Sequence, residues 1–328
     1  MPKRSLIEQL DQAIEAMLVR PDAELQSVDP AITPLLRVAA ALRDLPREEF
    51  KTKLKADLQR STSMSSTAVP STAVNPIREG FHTITPYIIV DQALELAEFV
   101  KQAFGAQETI RGTGSGGGYH IEVKVGDSMM MLGGGGEFKG TPMPTSIHLY
   151  VPDAGAVYQQ ALRAGAASVN APVDQPYGDR EAGIKDSFGN FWWIATHKGA
   201  SYVPEGMHTV TPFLHPKGAP AVIEFMKNAF GAQEVDRYES EGVVHHAKVR
   251  IGNSMIEMGE AHGPYQPMPT TFYLYVEDTD ALYNRAIAAG AKSLSAPADQ
   301  PYGDRNAGVE DPFGNQWYIG THINDVGM

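Results

Sequence analysis

The chain contains a long internal repeat. Gly80–Pro86 (Gly-Phe-His-Thr-Ile-Thr-Pro) returns 126 residues later as Gly206–Pro212 (Gly-Met-His-Thr-Val-Thr-Pro). Two further pairs of segments repeat at nearly the same spacing: Phe104–Glu108 with Phe230–Glu234, and Asp174–Arg180 with Asp299–Arg305. A solenoid repeat spans only roughly 20–45 residues, so this period is that of a whole domain. The sequence therefore predicts two copies of one fold.

The charge and cysteine content narrow the classes of function. The net charge of −12 argues against binding to nucleic acid or to an anionic membrane surface. Because the chain has no cysteine, disulfides, thiolate metal ligands and a cysteine nucleophile are excluded. No apolar run approaches the roughly 20 residues that span a bilayer, and the N-terminal segment lacks the apolar centre of a signal peptide. We therefore expect a cytoplasmic protein whose ligand is a small molecule.

The segment before the first repeat differs in composition from the rest. Residues 1–60 carry apolar positions every three or four residues, and Pro46 interrupts the pattern. They are predicted to form a helical extension of three short helices, which leaves open a contact with a protein partner or with a second copy of the chain. Residues 61–78 are rich in Ser, Thr and Pro, which predicts a flexible linker.

Each repeat divides again into two similar halves. The first repeat is predicted to occupy residues 79–199 and the second residues 205–324. In the first, Thr83–Val90 alternates as a strand, Ala93–Phe104 has helical periodicity, and three short strands follow. The pattern restarts at Ser146–Val151. Each repeat therefore has the element order βαβββ twice, which predicts an α+β fold.

Several short motifs recur with these units. They are Thr-Pro-Tyr in the first strand, Ala-Phe-Gly-Ala at the end of the helix, Tyr-Gly-Asp-Arg, and Asp-x-Phe-Gly-Asn-x-Trp followed by Thr-His at Asp186–His197 and Asp311–His322. Together with the four βαβββ units, they resemble the vicinal-oxygen-chelate superfamily of glyoxalase I, bleomycin- and fosfomycin-resistance proteins and extradiol dioxygenases, and within it the PhnB-like branch. The resemblance covers about residues 80–323. It implies two tandem domains, each of paired βαβββ units that form a U-shaped sheet, or trough, with the helices outside.

The resemblance also implies where a catalytic metal would bind. Metal-using members place their ligands on the first and last strands of each unit. The corresponding positions are Thr85, Met131, Ser146 and Trp193 in the first repeat, and Thr211, Glu257, Thr271 and Tyr318 in the second. Since His, Glu and Gln are the expected ligands, Glu257 alone fits. We therefore predict no metal site, although a divalent metal held by Glu257 with His208 or His246 stays an alternative.

The histidines offer a second kind of chemistry. Strand alternation directs His148 into the trough, where it can act as acid, base or hydrogen-bond donor, or can simply be a satisfied core histidine. His120 and His246 have the same parity but fit a solvated strand face better. His82 begins its strand and is interpreted as a strand-end residue. His148 and Glu257 are therefore the catalytic candidates.

Aromatic and methionine side chains dominate the predicted trough walls, and with His148 and Glu257 they form the predicted ligand-binding set. In the first repeat these residues are Tyr87, Met129, Met131, His148, Tyr150 and Trp193. In the second they are Phe213, Met255, Glu257, Tyr273, Tyr275 and Tyr318. Aromatic walls with few polar groups suit a flat apolar ligand.

Three functions follow from these patterns. The first is a metal-independent protein that binds a small aromatic or amphipathic molecule. The second is a metal-dependent lyase, isomerase or dioxygenase of the same superfamily. The third is a structural or regulatory protein whose troughs are filled by its own side chains and whose N-terminal helices bind a partner. The sequence favours them in that order but leaves open whether the protein is an enzyme.

Overall fold

The computed structural model describes residues 74–114 and 116–326. The predicted helical extension, residues 1–60, and most of the predicted linker, residues 61–78, lie outside the described residues. Within the described part no helix is long and apolar enough to cross a membrane.

Four units with the order βαβββ follow one another along the chain. The first unit contains β1 (Ile84–Ile89), α1 (Ala93–Phe104), β2 (Gln107–Thr113), β3 (Tyr119–Val125) and β4 (Ser128–Gly134). The second contains β5 (Ser146–Tyr150), α2 (Ala154–Arg163), β6 (Ala167–Asp174), β7 (Asp179–Lys185) and β8 (Phe191–His197). The third contains β9 (Val210–Leu214), α3 (Ala219–Phe230), β10 (Gln233–Ser240), β11 (Val243–Ile251) and β12 (Ser254–Met258). The fourth contains β13 (Thr271–Tyr275), α4 (Thr279–Ala288), β14 (Lys292–Asp299), β15 (Asp304–Glu310) and β16 (Gln316–His322).

Local sequence explains how the helices begin and end. α2 and α4 start after Asp153 and Asp278, whose side chains each accept a hydrogen bond of 2.9 Å from a backbone N–H of the first turn. α1 and α3 end at Gly105 and Gly231, whose φ angles of 69° and 68° are left-handed. Glycine adopts that conformation at no steric cost, so the Phe-Gly-Ala motif ends the helix in both repeats.

The sixteen strands form two eight-stranded sheets, which confirms the predicted fold class. The structure differs from the prediction in which units share a sheet. One sheet has the order β14-β15-β16-β13-β1-β4-β3-β2, and the other β10-β11-β12-β9-β5-β8-β7-β6. β1 pairs antiparallel with β13, and β5 with β9. The prediction that the two units of one repeat share a trough is therefore wrong. The first and fourth units form one trough, the outer-unit trough, and the second and third form the inner-unit trough.

The hydrophobic core follows the repeats instead. One cluster joins the first and second units and contains Leu96 of α1, Ala161 of α2 and Trp192 of β8. The other joins the third and fourth units and contains Met226 and Trp317. Helices thus pack within a repeat, whereas sheets form between repeats. The predicted boundaries of the repeats, 79–199 and 205–324, stay a prediction.

Polar contacts hold the two repeats together at the starts of β1 and β9. Asp127, in the turn before β4, accepts a hydrogen bond from the backbone N–H of Thr209 at 2.9 Å. Asn253, its counterpart before β12, accepts one from Thr83 at 2.8 Å. The adjacent hydroxyls of Ser128 and Ser254 accept from Val210 and Ile84. These side chains satisfy backbone donors that the end of the sheet leaves without a partner.

Candidate functional site

The outer-unit trough contains a cavity of about 740 Å³. Both units that form the sheet contribute to its wall, and Gly114, Gly116 and Gly118, between β2 and β3, also line it. Its aromatic lining consists of Tyr87, Tyr119, Phe138, Tyr273, Tyr275, Tyr302 and Tyr318. The volume lies within the range of small-molecule sites, about 300–1,000 Å³. The trough is therefore large enough for an organic ligand and offers it mainly ring surfaces.

A chain of polar groups crosses one wall of this cavity. Arg78 pairs with Glu122. Nε2 of His120 lies 3.2 Å from Glu122 Oε1, and because a carboxylate only accepts, the proton is on Nε2. Nδ1 of His120 then accepts from the Tyr87 hydroxyl at 2.9 Å. Burial opposes ionisation of Glu122, but the hydrogen bonds from His120 and Arg78 prevail and lower its pKa.

A second polar group lies on the opposite wall. Asp304 accepts hydrogen bonds from the hydroxyls of Tyr273 at 2.6 Å and Tyr275 at 3.1 Å, and its other oxygen lies 2.8 Å from Nδ1 of His322. Burial raises the pKa of Tyr302 to about 12 and raises the pKa of Tyr273 well above its usual value. These tyrosines are therefore neutral hydrogen-bond donors, and Asp304 orients the hydroxyl groups of Tyr273 and Tyr275.

The inner-unit trough has different chemistry at its centre. Nδ1 of His148 lies 2.6 Å from Glu257 Oε2, and both side chains are buried. Nε2 of His246 and the ammonium of Lys248 lie 3.4 Å and 3.5 Å from the other oxygen of Glu257. Glu181 lies on the far side of His148, 3.5 Å from its Nε2. The trough thus holds a row of carboxylate, imidazole and carboxylate, in which His148 and Glu257 are buried and Glu181 is partly exposed.

The pKa values of this row reflect burial and mutual charge. Burial opposes protonation of His148, but the charge and hydrogen bond of Glu257 raise its pKa. Burial opposes ionisation of Glu257, but the charge and hydrogen bond of His148 lower its pKa. Burial raises the pKa of Glu181 despite the charge of His148 and a hydrogen bond from Tyr177. Glu257 is therefore the ionised partner of His148, and Glu181 is the carboxyl group that protonates more easily.

An aromatic cluster fills the other end of the inner-unit trough. The ring of His215 stacks on Tyr265 with centroids 5.3 Å apart and contacts Phe213 at 4.9 Å, while Trp193 lies 5.4 Å from Tyr265. Burial and the neighbouring His262 lower the pKa of His215 to about 4, so its ring is neutral. This end therefore resembles a packed core more than a polar site.

The structure rearranges the predicted site residues. Tyr87, Met131, Tyr273, Tyr275 and Tyr318 meet in the outer-unit trough. The prediction that Tyr87 and Met131 share a trough with Tyr150 and Trp193 is therefore wrong. The prediction that Tyr273, Tyr275 and Tyr318 share a trough with Phe213 and Glu257 is wrong for the same reason.

The predicted catalytic candidates, in contrast, come together. His148 and Glu257 were assigned to separate troughs, yet they share a hydrogen bond because β5 and β12 flank β9 in one sheet. Sequence reasoning missed Arg78, which lies at the end of the predicted linker, and the roles of Glu181 and Asp304. The repeated Tyr-Gly-Asp-Arg motif is the signal in the sequence that marks Asp304.

Comparison with known proteins identifies the family. The family model of the Glyoxalase/Bleomycin resistance protein/Dioxygenase superfamily matches residues 210–319. An uncharacterized protein of Mycobacterium bovis is 34% identical over 131 residues, which are 36% of this chain and 86% of that protein. The chain belongs to this superfamily. Glyoxalase I from Zea mays has a similar structure, with a TM-score of 0.55 at 12% identity over 72% of this chain and 92% of that one. At that identity the likeness shows the fold alone.

Some proteins of the glyoxalase/bleomycin-resistance superfamily hold a metal in the trough, at the strand positions named above. The outer-unit trough brings together the ligand positions Thr85, Met131, Thr271 and Tyr318, none of which suits a divalent ion. In the inner-unit trough, Glu257 already accepts from His148, and the Lys248 ammonium lies 3.5 Å away. A cation beside Glu257 would meet that positive charge. The trough residues therefore do not fit a divalent ion.

One group of ligand-type atoms lies elsewhere. Among the described residues, three His, Asp or Glu ligand atoms converge only at His82, Asp127 and His208, outside the troughs. The two rings stack in parallel with centroids 3.5 Å apart, and each Nε2 donates to a backbone carbonyl, of Asp127 and Asn253. Parallel rings do not direct both nitrogen lone pairs at one ion. The group therefore serves as a contact between the repeats. Of the two histidines in the metal alternative, His208 bonds Asp127 and Asn253, and only His246 lies near Glu257.

Proposed function

We propose that this member of the glyoxalase/bleomycin-resistance superfamily binds a planar aromatic or amphipathic molecule in the outer-unit trough, without a catalytic metal. The cavity of about 740 Å³ carries the proposal, because seven aromatic rings line it and both of its polar networks are internally paired. Such a wall offers stacking surfaces and a few fixed donors, which is the usual composition of a small-molecule site.

The charged groups of the cavity support a binding role over metal chemistry. Glu122 is occupied by Arg78 and His120, and Asp304 by two tyrosine hydroxyls and His322. Paired carboxylates orient neighbouring donors but leave little capacity for an ion. The open cavity also argues against a protein whose troughs are both filled, although the aromatic cluster around His215 would suit that function in the inner-unit trough alone.

Replacement of one exposed ring tests this proposal. Tyr119 lines the cavity with 37% of its surface exposed, so Tyr119→Ala is expected to fold normally. We expect it to weaken binding of the amphipathic dye 8-anilinonaphthalene-1-sulfonate about fivefold, since an aromatic contact is worth about 1 kcal/mol. Fluorescence titration of the full chain measures the change. Tyr238→Ala is the matched control, because Tyr238 is 62% exposed and lies outside the cavity lining. Equal affinities of the two variants, or no saturable binding, would contradict the proposal.

A further inference from the structure

The stacked rings of His82 and His208 lie outside both troughs, where the two repeats meet. Four short segments come together there: residues 82–84 and 126–128 of the first repeat, and 208–210 and 252–254 of the second. Besides the two histidines, Asp127 is the one ionisable residue in these segments. The charges that act on the two rings are therefore their own and that of Asp127.

The two repeats differ at this contact in one polar residue. Asp127 and Asn253 occupy equivalent places, and Oδ1 of each accepts a hydrogen bond from a backbone N–H of the other repeat. The other branch of the side chain is a second carboxylate oxygen in Asp127 but an NH2 group in Asn253. By the symmetry of the repeats, His208 thus faces an acceptor where His82 faces a donor.

These partners fix the charge of each ring. Nδ1 of His208 lies 3.0 Å from the Asp127 carboxylate, and its Nε2 lies 2.8 Å from the backbone carbonyl of Asn253. Because both partners only accept, both nitrogens carry a proton and the ring is an imidazolium. His82 donates from Nε2 to the backbone carbonyl of Asp127 at 2.9 Å, while its Nδ1 faces the NH2 group. The ring of His82 is therefore neutral.

A second proton would bring two positive charges into contact. The hydrogen bond to Asp127 raises the pKa of His208, whereas burial and the charge of His208 lower the pKa of His82. The ring centroids are 3.5 Å apart, and one carboxylate would have to balance both charges. The neighbouring backbone is closely packed, since a Cβ on Gly126 or Gly252 would overlap a threonine of the other repeat. The rings therefore cannot separate unless the repeats also move.

We propose that the stacked histidines form an acid-sensitive contact between the repeats, which is stable with one positive charge, on His208, and loosens when His82 is also protonated. The contact joins the starts of β1 and β9, each of which lies near the centre of one sheet. Acid therefore weakens both sheets at the same point, whatever either trough binds.

The pair stabilises the folded chain most at about pH 6.5, the ordinary pKa of histidine. Below that pH the unfolded chain protonates both rings but the folded chain only His208, so stability falls as the pH falls toward the lowered pKa of His82. At higher pH the folded chain keeps a proton on His208 that the unfolded chain releases. This contribution is lost as the pH rises through the raised pKa of His208.

NMR of the full-length protein with isotope-labelled histidine tests the proposal. One ring is expected to titrate above about pH 6.5 and one below, and His82→Gln and His208→Gln identify the two signals. Asn253→Asp gives the second repeat the residue of the first, and should raise the proton affinity of His82 at least about tenfold, which corresponds to one pKa unit. Asn228→Asp adds the same charge at an exposed position of α3 and should leave both rings unchanged.

Chemical denaturation at different pH values measures the effect on the fold without assignment of the signals. Because other histidines also titrate, each variant is compared with the wild type at the same pH. Asn253→Asp should gain stability relative to the wild type as the pH is lowered from about 7 to about 5, whereas Asn228→Asp should not. The proposal is overturned if the two rings titrate together, if both are neutral at about pH 6.5, or if the two variants respond equally to acid.

Discussion

Glu257→Ala is expected to lower the free energy of unfolding by about 3–5 kcal/mol, because it removes one member of a buried, hydrogen-bonded charge pair. Glu257 is 2% exposed, and its carboxylate is the hydrogen-bond partner of the buried His148 ring. Alanine leaves that ring without an acceptor for Nδ1–H and leaves Lys248 without its nearby counter-charge. Chemical denaturation followed by circular dichroism measures the loss.

A variant copied from the outer-unit trough is the matched control. The triple substitution His148→Tyr, Glu181→Asn and Glu257→Met installs the residues that the fourth and first units hold at the same positions. Because it removes the charged groups together, we expect a smaller loss of stability than for Glu257→Ala alone. If the triple variant is less stable than Glu257→Ala, the unpaired charges around His148 are not the reason for the loss of stability in Glu257→Ala.

Trp317→Ala is expected to cost a similar amount, about 3–5 kcal/mol, through a cavity in the core of the second repeat. Trp317 is fully buried, its ring lies 4.3 Å from Phe272 and 4.6 Å from Phe230, and its N–H donates to Asp311 at 3.1 Å. The substitution therefore loses ring packing and one buried hydrogen bond together. The same denaturation experiment measures the effect.

Trp192 provides the internal comparison. It is also fully buried, packs 4.6 Å from Phe104 and donates to Asp186 at 2.9 Å. Trp192→Ala should therefore destabilise the protein by a similar amount. A loss below about 1 kcal/mol for either variant would mean that the two cores are not equivalent supports of the fold.

The sequence was sufficient to predict the units but not their pairing. Strand alternation predicts that His148 and Tyr150 lie on the trough face, and the structure agrees. In the inner-unit trough the His148 ring bonds Glu257 and stacks on the Tyr150 ring. The pattern that directs a side chain to one face is the same whether β1 pairs with β5 or with β13. Local sequence therefore cannot distinguish sheets formed within repeats from sheets formed between them.

The same limit applies to the candidate sites. His148 and Glu257 were predicted individually, yet their contact depends on which units share a sheet. Arg78 lies in a stretch whose composition predicts a linker, and its role arises from Glu122 on a distant strand. Asp186 of the Asp-x-Phe-Gly-Asn-x-Trp motif, by contrast, bonds groups no more than six residues away. Contacts between units depend on a strand pairing that the local sequence does not specify.

The most direct test of the central claim is the melting temperature of chelator-treated full-length protein, with and without 8-anilinonaphthalene-1-sulfonate, after elemental analysis has established that metal is absent. A ligand that binds the folded state raises the melting temperature. We predict that the dye raises it equally before and after chelation, and that Tyr119→Ala reduces the rise while Tyr238→Ala does not. A rise that disappears on chelation and returns when Zn²⁺, Ni²⁺, Fe²⁺ or Mn²⁺ is added would contradict a metal-independent site in the outer-unit trough.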